Sequence, residues 1–277
     1  MAKSPVPKVA AIHDLSGIGR CSLTAVIPVL TRRGIQVCPL PTALLSSQTD
    51  GYSDYYFRDL TDSMEAIMEK WSREEVSFDA IYSGFLGSSG QADLVSRFVE
   101  RFQAPGQLVV VDPVMGDNGA FYGPYSGQMV EAMKNLCSRA DLITPNYTEA
   151  AFLLNEEYAP ALEAEELHDW CRRLGELGPS RVVITSVPLK EQKHKRVSLA
   201  AWDSEKDQYF TSSVKRVDRS YPGTGDIFTS LLTAALLKGK SFKKSVKGAE
   251  SKIQLVIKKT SSYNLPRREG VLLEKYL

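Results

Sequence analysis

Short, largely apolar runs alternate along the chain with longer stretches in which apolar residues recur every three or four positions. Residues 9–12, 36–40, 80–83, 108–111, 142–144 and 182–185 are compact and β-rich, as strands covered on both faces are. Between them, 23–33, 61–71, 91–102, 126–137, 149–154 and 164–177 carry helical spacing. A strand–helix repeat of this kind predicts α/β organisation with a mostly parallel central sheet. Residues 197–202 and 208–213 flank the polar turn 203–207 and predict an antiparallel hairpin at the sheet edge. Two helices follow, over 227–237 and 244–257, the second with lysines on a solvated face. The polar run 190–196 reads as a flexible surface loop, with closure over a ligand as its alternative. Neither an internal repeat nor a low-complexity linker interrupts the pattern, so residues 1–277 are expected to form a single domain.

Composition narrows the classes of partner. With 277 residues, 43% hydrophobic and 24% charged, the chain can bury one substantial core. A formal net charge of +1 offers no broad field for nucleic acid or an anionic membrane, so any affinity for phosphate is local and points to a small ligand. The first residues lack a long apolar stretch and a small-residue cleavage site, and no later run approaches spanning length, so a cytoplasmic protein is expected. Cys21, Cys38, Cys137 and Cys171 are scattered without a C-x-x-C pair, which favours reduced thiols over disulfides or a zinc knuckle.

Three segments carry chemistry. In Tyr221-Pro222-Gly223-Thr224-Gly225-Asp226, which runs into an apolar helix, two glycines let backbone N–H groups converge where a helix start adds positive potential. Asp226 would sit beside that anion hole, able to take a proton from an attacking hydroxyl; the plainer reading is a turn with an aspartate favoured at a helix start. In Leu108-Val109-Val110-Val111-Asp112-Pro113-Val114-Met115-Gly116-Asp117, a buried-looking strand delivers Asp112 and Asp117 to a loop where a magnesium ion or phosphate could be met. An Asp-Pro turn explains the same residues without a ligand. In Thr144-Pro145-Asn146-Tyr147-Thr148-Glu149, the Asn146–Glu149 spacing is that of a capping box, and the same pair could hold magnesium through water. There is no G-x-x-x-x-G-K-[ST] loop, and Gly17-Ile18-Gly19 lacks the third glycine of a dinucleotide fingerprint. His13, His168 and His194 stand alone in sequence and receive no catalytic role, although His13 borders the candidate substrate pocket.

In order and spacing, these three segments resemble those of the ribokinase-like kinases, and the Asp-Pro-Val-Met-Gly-Asp loop resembles that of their vitamin kinases, the pyridoxamine/pyridoxal kinases. The resemblance runs from Ile12 to about Leu237. It implies a three-layer α/β/α sandwich that uses ATP and Mg2+, with a monovalent cation as a further candidate. The reaction it implies is phosphorylation of the 5′-hydroxymethyl group of pyridoxamine or pyridoxal, a salvage route toward pyridoxal 5′-phosphate. Asp226 would be the general base, and Gly223, Thr224, Gly225 and Asp226 the anion hole. Asp14, Ser16, Thr49 and Phe85 would hold the substrate, the phenylalanine by stacking on its ring. Asp112, Tyr122, Thr185 and Ser186, with Gly223 and Gly225, would meet ATP, and Asp112, Asp117, Asn146 and Glu149 the magnesium ion, largely through water. A homodimer is implied as well.

Each of these residues also has a plain structural reading: Asp14 and Ser16 as caps, Thr49 as a turn residue, Phe85 as core, Thr185-Ser186 as a strand end and Tyr122 as a half-buried tyrosine. The sequence also departs from the pattern. Animal-type pyridoxal kinases carry Ser-Asn-His-Thr where this chain has Ser46-Ser47-Gln48-Thr49. The Asp14-Leu15-Ser16-Gly17 loop resembles that of hydroxymethylpyrimidine kinases, which commonly carry cysteine at the position of Asp226. A hydroxymethylpyrimidine or other small-alcohol kinase is therefore the alternative on the same fold, and a non-catalytic carrier or regulator that binds vitamin B6 the alternative of a different class.

Overall fold

The computed structural model describes residues 4–123, 125–192, 196–217 and 219–277. Its elements run β1 (Lys8–Ser16), α1 (Ser22–Arg32), β2 (Gln36–Leu45), β3 (Phe57–Asp59), α2 (Thr61–Arg73), β4 (Ala80–Ser83), α3 (Ser89–Phe102) and β5 (Leu108–Val111). They continue with β6 (Gly116–Asp117), β7 (Ala120–Phe121), α4 (Gly127–Cys137), β8 (Leu142–Ile143), α5 (Tyr147–Leu154), α6 (Ala164–Glu176) and β9 (Arg181–Val187). The last are β10 (Arg196–Asp203), β11 (Gln208–Lys215), α7 (Thr224–Leu237), α8 (Phe242–Ser261) and α9 (Leu273–Tyr276). The chain divides into two compact units: one of Met1–Gly87, Arg97–Leu108 and Val217–Leu277, the other of Ser88–Ser96 and Val109–Arg216.

In the first unit the strands stand in the order β4-β1-β2-β3. Val9, Ala10, Ala11 and Ile12 are entirely buried, as expected of a parallel strand covered on both faces, and they pair with Ala80–Ser83 of β4 on one side and 37–40 of β2 on the other. The register between β1 and β2 slips between His13 and Leu15, placing an extra β2 residue opposite Asp14. Such a bulge bends a strand and re-aims its side chains. Helix α7 packs against α1 and α8, and its Ile227–Ala234 stretch is wholly buried, matching its apolar sequence.

In the second unit β5, β8 and β9 are parallel, and β10 and β11 continue from β9 antiparallel, as the hairpin pattern predicts. Helix α6 lies against β9 and β10, with Leu167, Trp170, Cys171 and Leu174 on its buried face. The fold is thus α/β with a mostly parallel sheet and an antiparallel hairpin.

Differences from the sequence pattern are instructive. Strand β1 runs on to Ser16, so Asp14 and Ser16 are strand residues rather than helix caps; the N-cap of α1 is Cys21. Strand β2 continues through Pro39 and Pro41 to Leu45, and the short β3, which pairs only with Ala43–Leu45, was not anticipated. The sequence pattern places a strand over 36–40 that already spans Pro39 and stops just before Pro41; proline lacks an N–H for a ladder bond, yet the strand runs on past both. Of the polar run 190–196, Lys190–Gln192 forms a 3-10 turn and Arg196 opens β10; residues 193–195, including His194, lie outside the described residues.

Candidate active site

The first unit gathers a cluster of polar groups at the carboxyl end of β1, where open parallel sheets place ligands. Asp14, 4% exposed, accepts a hydrogen bond from Ser16 Oγ at 2.7 Å. Burial pushes the Asp14 carboxyl above its usual range, against hydrogen bonds from Ser22 and Ser16 that act in the opposite direction, and the nearby Asp226 carboxylate adds to the rise. Asp226 sits in the first turn of α7, and its Oδ2 accepts the Ser22 N–H at 2.8 Å. Ser22 has a φ of 46°, a left-handed conformation uncommon for a residue with a side chain, and this turn of the backbone belongs to the start of α1.

The start of α7 is shaped by Gly223. It caps the helix at φ 79°, and a Cβ there would stand 1.9 Å from the carbonyl oxygen of Arg20. Glycine is required on both counts. The first intrahelical bond is donated by the Ile227 N–H to the Gly223 carbonyl at 3.1 Å. The N–H groups of Thr224, Gly225 and Asp226 are therefore the helix's orphan donors, the arrangement that suits an anion. The Thr224 hydroxyl donates back to the Tyr221 carbonyl at 3.0 Å, fastening the turn.

The remaining expected substrate residues are placed less uniformly. Thr49 is exposed in a turn; its neighbour Gln48 is buried, and Gln48 Nε2 donates to the Asp50 carbonyl and, at 3.1 Å, to the Arg268 carbonyl. Phe85 is half-buried just beyond β4, and its carbonyl accepts the Thr42 hydroxyl at 2.9 Å. Pattern reading gave His13 and Ser22 no role. His13 is wholly buried, with Nδ1 3.6 Å from Asp226 Oδ1, and its ring meets Tyr82 edge-on at 4.4 Å between centroids. Neither placement has a signal in sequence: one depends on a 213-residue separation closed by the fold, the other on a backbone dihedral.

The second unit gathers carboxylates at the ends of β5 and β8. Asn146 and Glu149 form the capping box of α5: Asn146 Oδ1 accepts the Glu149 N–H at 2.9 Å, and Glu149 Oε2 accepts the Asn146 N–H at 2.7 Å. Both residues do more than cap. Glu149 Oε1 accepts the Met115 N–H at 3.2 Å, and Asn146 Nδ2 donates to the Gly116 carbonyl at 2.8 Å, so the box holds the loop after Asp112 in place. Burial pushes the Glu149 carboxyl well above its usual range, and Asp112, itself 5% exposed, raises it further. Asp117 is exposed on β6, where it accepts the Asn118 N–H at 2.9 Å. The exposed Tyr122 is tied to the same loop by its N–H, which donates to the Met115 carbonyl at 2.9 Å. Thr185 is joined to the site by its N–H to the Pro145 carbonyl at 2.9 Å, and Ser186 is exposed with φ 60°.

Two buried carboxylates that repel one another favour a cation beside them, and their oxygens suit a hard ion such as Mg2+. Among the described residues no three His, Cys, Asp or Glu side chains form a direct metal-binding group. Mg2+ takes oxygen ligands and commonly keeps several waters. None of the described helices is long and apolar enough to cross a membrane.

The profile of the phosphomethylpyrimidine kinase family matches residues 24–270. A pyridoxine/pyridoxal/pyridoxamine kinase of Bordetella avium is 31% identical over 248 residues, covering 87% of this chain and 81% of that one. A crystal structure of a Bacteroides thetaiotaomicron protein assigned to the phosphomethylpyrimidine kinases, in a form with pyridoxal, superposes with a TM-score of 0.94 at 46% identity, covering 98% of this chain and 94% of that one. The pyridoxal kinase of Lactobacillus plantarum superposes with a TM-score of 0.88 at 29% identity over 96% of this chain and 94% of its own. The parallel sheet with its antiparallel hairpin is the ribokinase-like fold of these kinases. The chain belongs to the phosphomethylpyrimidine kinase family and is a phosphotransferase that acts on an alcohol group.

Proposed function

We propose that this protein transfers the γ-phosphoryl group of ATP to the 5′-hydroxymethyl group of pyridoxamine or pyridoxal. The observation that carries the reading is the Asp226 carboxylate, held by the Ser22 N–H in the first turn of α7, beside the buried Asp14–Ser16 pair. Asp226 accepts the hydroxyl proton as that oxygen forms its bond to the γ-phosphorus; the bond from phosphorus to the bridging β–γ oxygen breaks, and ADP leaves. The orphan N–H groups of Thr224, Gly225 and Asp226 stabilise charge on the transferring phosphoryl oxygens. Asp14 and Ser16 hold the polar edge of the ring, with Thr49 and Phe85 completing the substrate side. Asp112, Tyr122, Thr185 and Ser186 are assigned to ATP. Asp112, Asp117, Asn146 and Glu149 would hold Mg2+ through water, and when bound this ion neutralises the β- and γ-oxygens.

The pyridoxal held by the Bacteroides thetaiotaomicron relative and the kinase activity named for the Bordetella avium relative support the vitamin B6 substrate. The family profile, named for phosphomethylpyrimidine kinases, favours a second reading in which a hydroxymethylpyrimidine is the acceptor. The proposal takes residues 1–277 as one kinase domain that acts in the cytoplasm as a homodimer.

The deciding experiment is coupled ADP release with Mg-ATP, comparing pyridoxamine, pyridoxal, pyridoxine and hydroxymethylpyrimidine in the wild type and Asp226→Asn. Turnover of a B6 vitamer is expected, with kcat reduced roughly 10²- to 10⁴-fold in Asp226→Asn while the KM for ATP stays close to wild type. Turnover with the pyrimidine alone would give the second reading, and undiminished turnover in Asp226→Asn would remove Asp226 as the base.

A further inference from the structure

His13 is a residue that burial alone does not explain. Its side chain is 0% exposed, and neither Nδ1 nor Nε2 has a hydrogen-bond partner among the described residues. An apolar side chain of similar size would avoid the desolvation cost that an unpaired buried imidazole carries. The surroundings are nevertheless built for this ring. Tyr82 meets it edge-on at an interplanar angle of 79°, and at Gly84 a Cβ would lie 2.3 Å from Nδ1, so the glycine makes the room the imidazole occupies.

The ring faces the side of Asp226 that the backbone leaves open. Asp226 Oδ2 is held by the Ser22 N–H at 2.8 Å, whereas Oδ1 lies 3.6 Å from His13 Nδ1. That separation is just beyond hydrogen-bond reach, and catalytic hydrogen bonds are often long before the substrate binds. Among the described residues, Asp14 on β1 and Cys21 ahead of α1 are titratable groups that feel the Asp226 carboxylate, while the Tyr82 hydroxyl on β4 donates to the Asp226 carbonyl at 3.4 Å. Of these neighbours, the imidazole is the one whose ring N–H can be aimed at Asp226 Oδ1.

We propose that His13 is a positioning residue for the reaction: in the reacting complex its Nδ1–H donates to Asp226 Oδ1 and orients the carboxylate. With Ser22 on Oδ2 and His13 on Oδ1, the rotation of the carboxylate is fixed, and each oxygen keeps a second lone pair for the hydroxyl proton. This inference rests on Asp226 as the general base.

The test compares His13→Gln and His13→Asn, both polar and close in size to histidine. The asparagine amide can place an N–H near the position of Nδ1, whereas the glutamine amide places it near Nε2. His13→Gln is expected to lower kcat about 10- to 100-fold, the scale for losing an orienting partner, with the KM values for ATP and for the alcohol changed less than about threefold. Losing a donor to the carboxylate also moves the acid limb of the kcat–pH profile to higher pH. His13→Asn is expected to restore most of the lost kcat and return the limb toward wild type. In an Asp226→Asn background His13→Gln is expected to add no further loss, because the two residues act as one unit. Equal losses in the Asn and Gln variants with an unmoved acid limb would mean that the ring only fills space, and would overturn the proposal; so would wild-type kcat in His13→Gln. Wild-type turnover in Asp226→Asn would instead identify the base assignment as the failing step.

Discussion

At the scale of single residues, the site is made of groups whose properties come from burial. Glu149 accepts two backbone N–H groups and lies against Asp112, and burial, the larger effect, together with that repulsion holds its carboxyl well above the usual range. A carboxyl raised in the folded state binds its proton more tightly there than in the unfolded chain. Its contribution to stability is complete below the unfolded value of about 4 and is lost as pH rises through the raised folded value. Glu149→Gln removes that titration while retaining a residue that suits the third position of a capping box. Thermal unfolding of the ligand-free protein is therefore expected to show the variant gaining on the wild type as pH rises from about 4 through the folded value. On the proposed assignment of Mg2+ to this site, Mg-ADP is expected to raise the wild-type Tm more at high pH than at low, because the cation would compensate an ionised Glu149 beside Asp112. A pH-independent difference between variant and wild type would contradict the buried, mutually repelling carboxylates described above.

At the scale of elements, α5 shows how a local motif takes on a tertiary task. The Asn-x-x-Glu spacing identifies a capping box, and the structure contains one, yet Asn146 and Glu149 also hold the Met115–Gly116 backbone. Replacing Asn146 by alanine is expected to cost about 1 kcal/mol for the lost cap, and more because the Gly116 carbonyl loses its donor. Asn146→Asp restores the cap acceptor but not the donor to Gly116, and it adds a charge next to Glu149. Urea unfolding should rank the wild type above both variants; an aspartate variant as stable as the wild type would show that the bond to Gly116 contributes little. Strand β1 presents the opposite situation. Its apolar stretch at 9–12 is legible, but His13, Asp14 and Ser16 look like loop residues; His13 still pairs with Pro41 of β2, and pairing that resumes at Leu15 beyond the bulge carries the strand to Ser16.

For the whole molecule, the four cysteines provide a direct check. All are free, and burial pushes the thiols of Cys21, Cys137 and Cys171 far above their usual range, with Cys38 raised to a smaller degree. The thiolate is the reactive form, so these groups are protonated and slow to react in the folded state. The native protein is expected to resist iodoacetamide at neutral pH, to take up four labels when unfolded, and to show the same Tm with and without a reducing agent. Rapid native labelling of Cys137 would contradict its burial. With all four cysteines free, stability rests on the buried apolar side chains of the strands and helices, which their alternation in the sequence already indicates.

The sequence by itself determined the α/β architecture, most element positions and the three motif segments, because periodicity, glycine and capping spacing are properties of neighbouring residues. It could not place Ser22 on Asp226, turn His13 toward the same carboxylate or bring Asp112 against Glu149. These contacts join residues 204, 213 and 37 positions apart and depend on a strained φ, a β-bulge and the space left by Gly84. Sequence pattern identifies the groups available for chemistry, whereas burial and proximity decide which are ionised, oriented and able to act together. Those are properties of the folded chain alone.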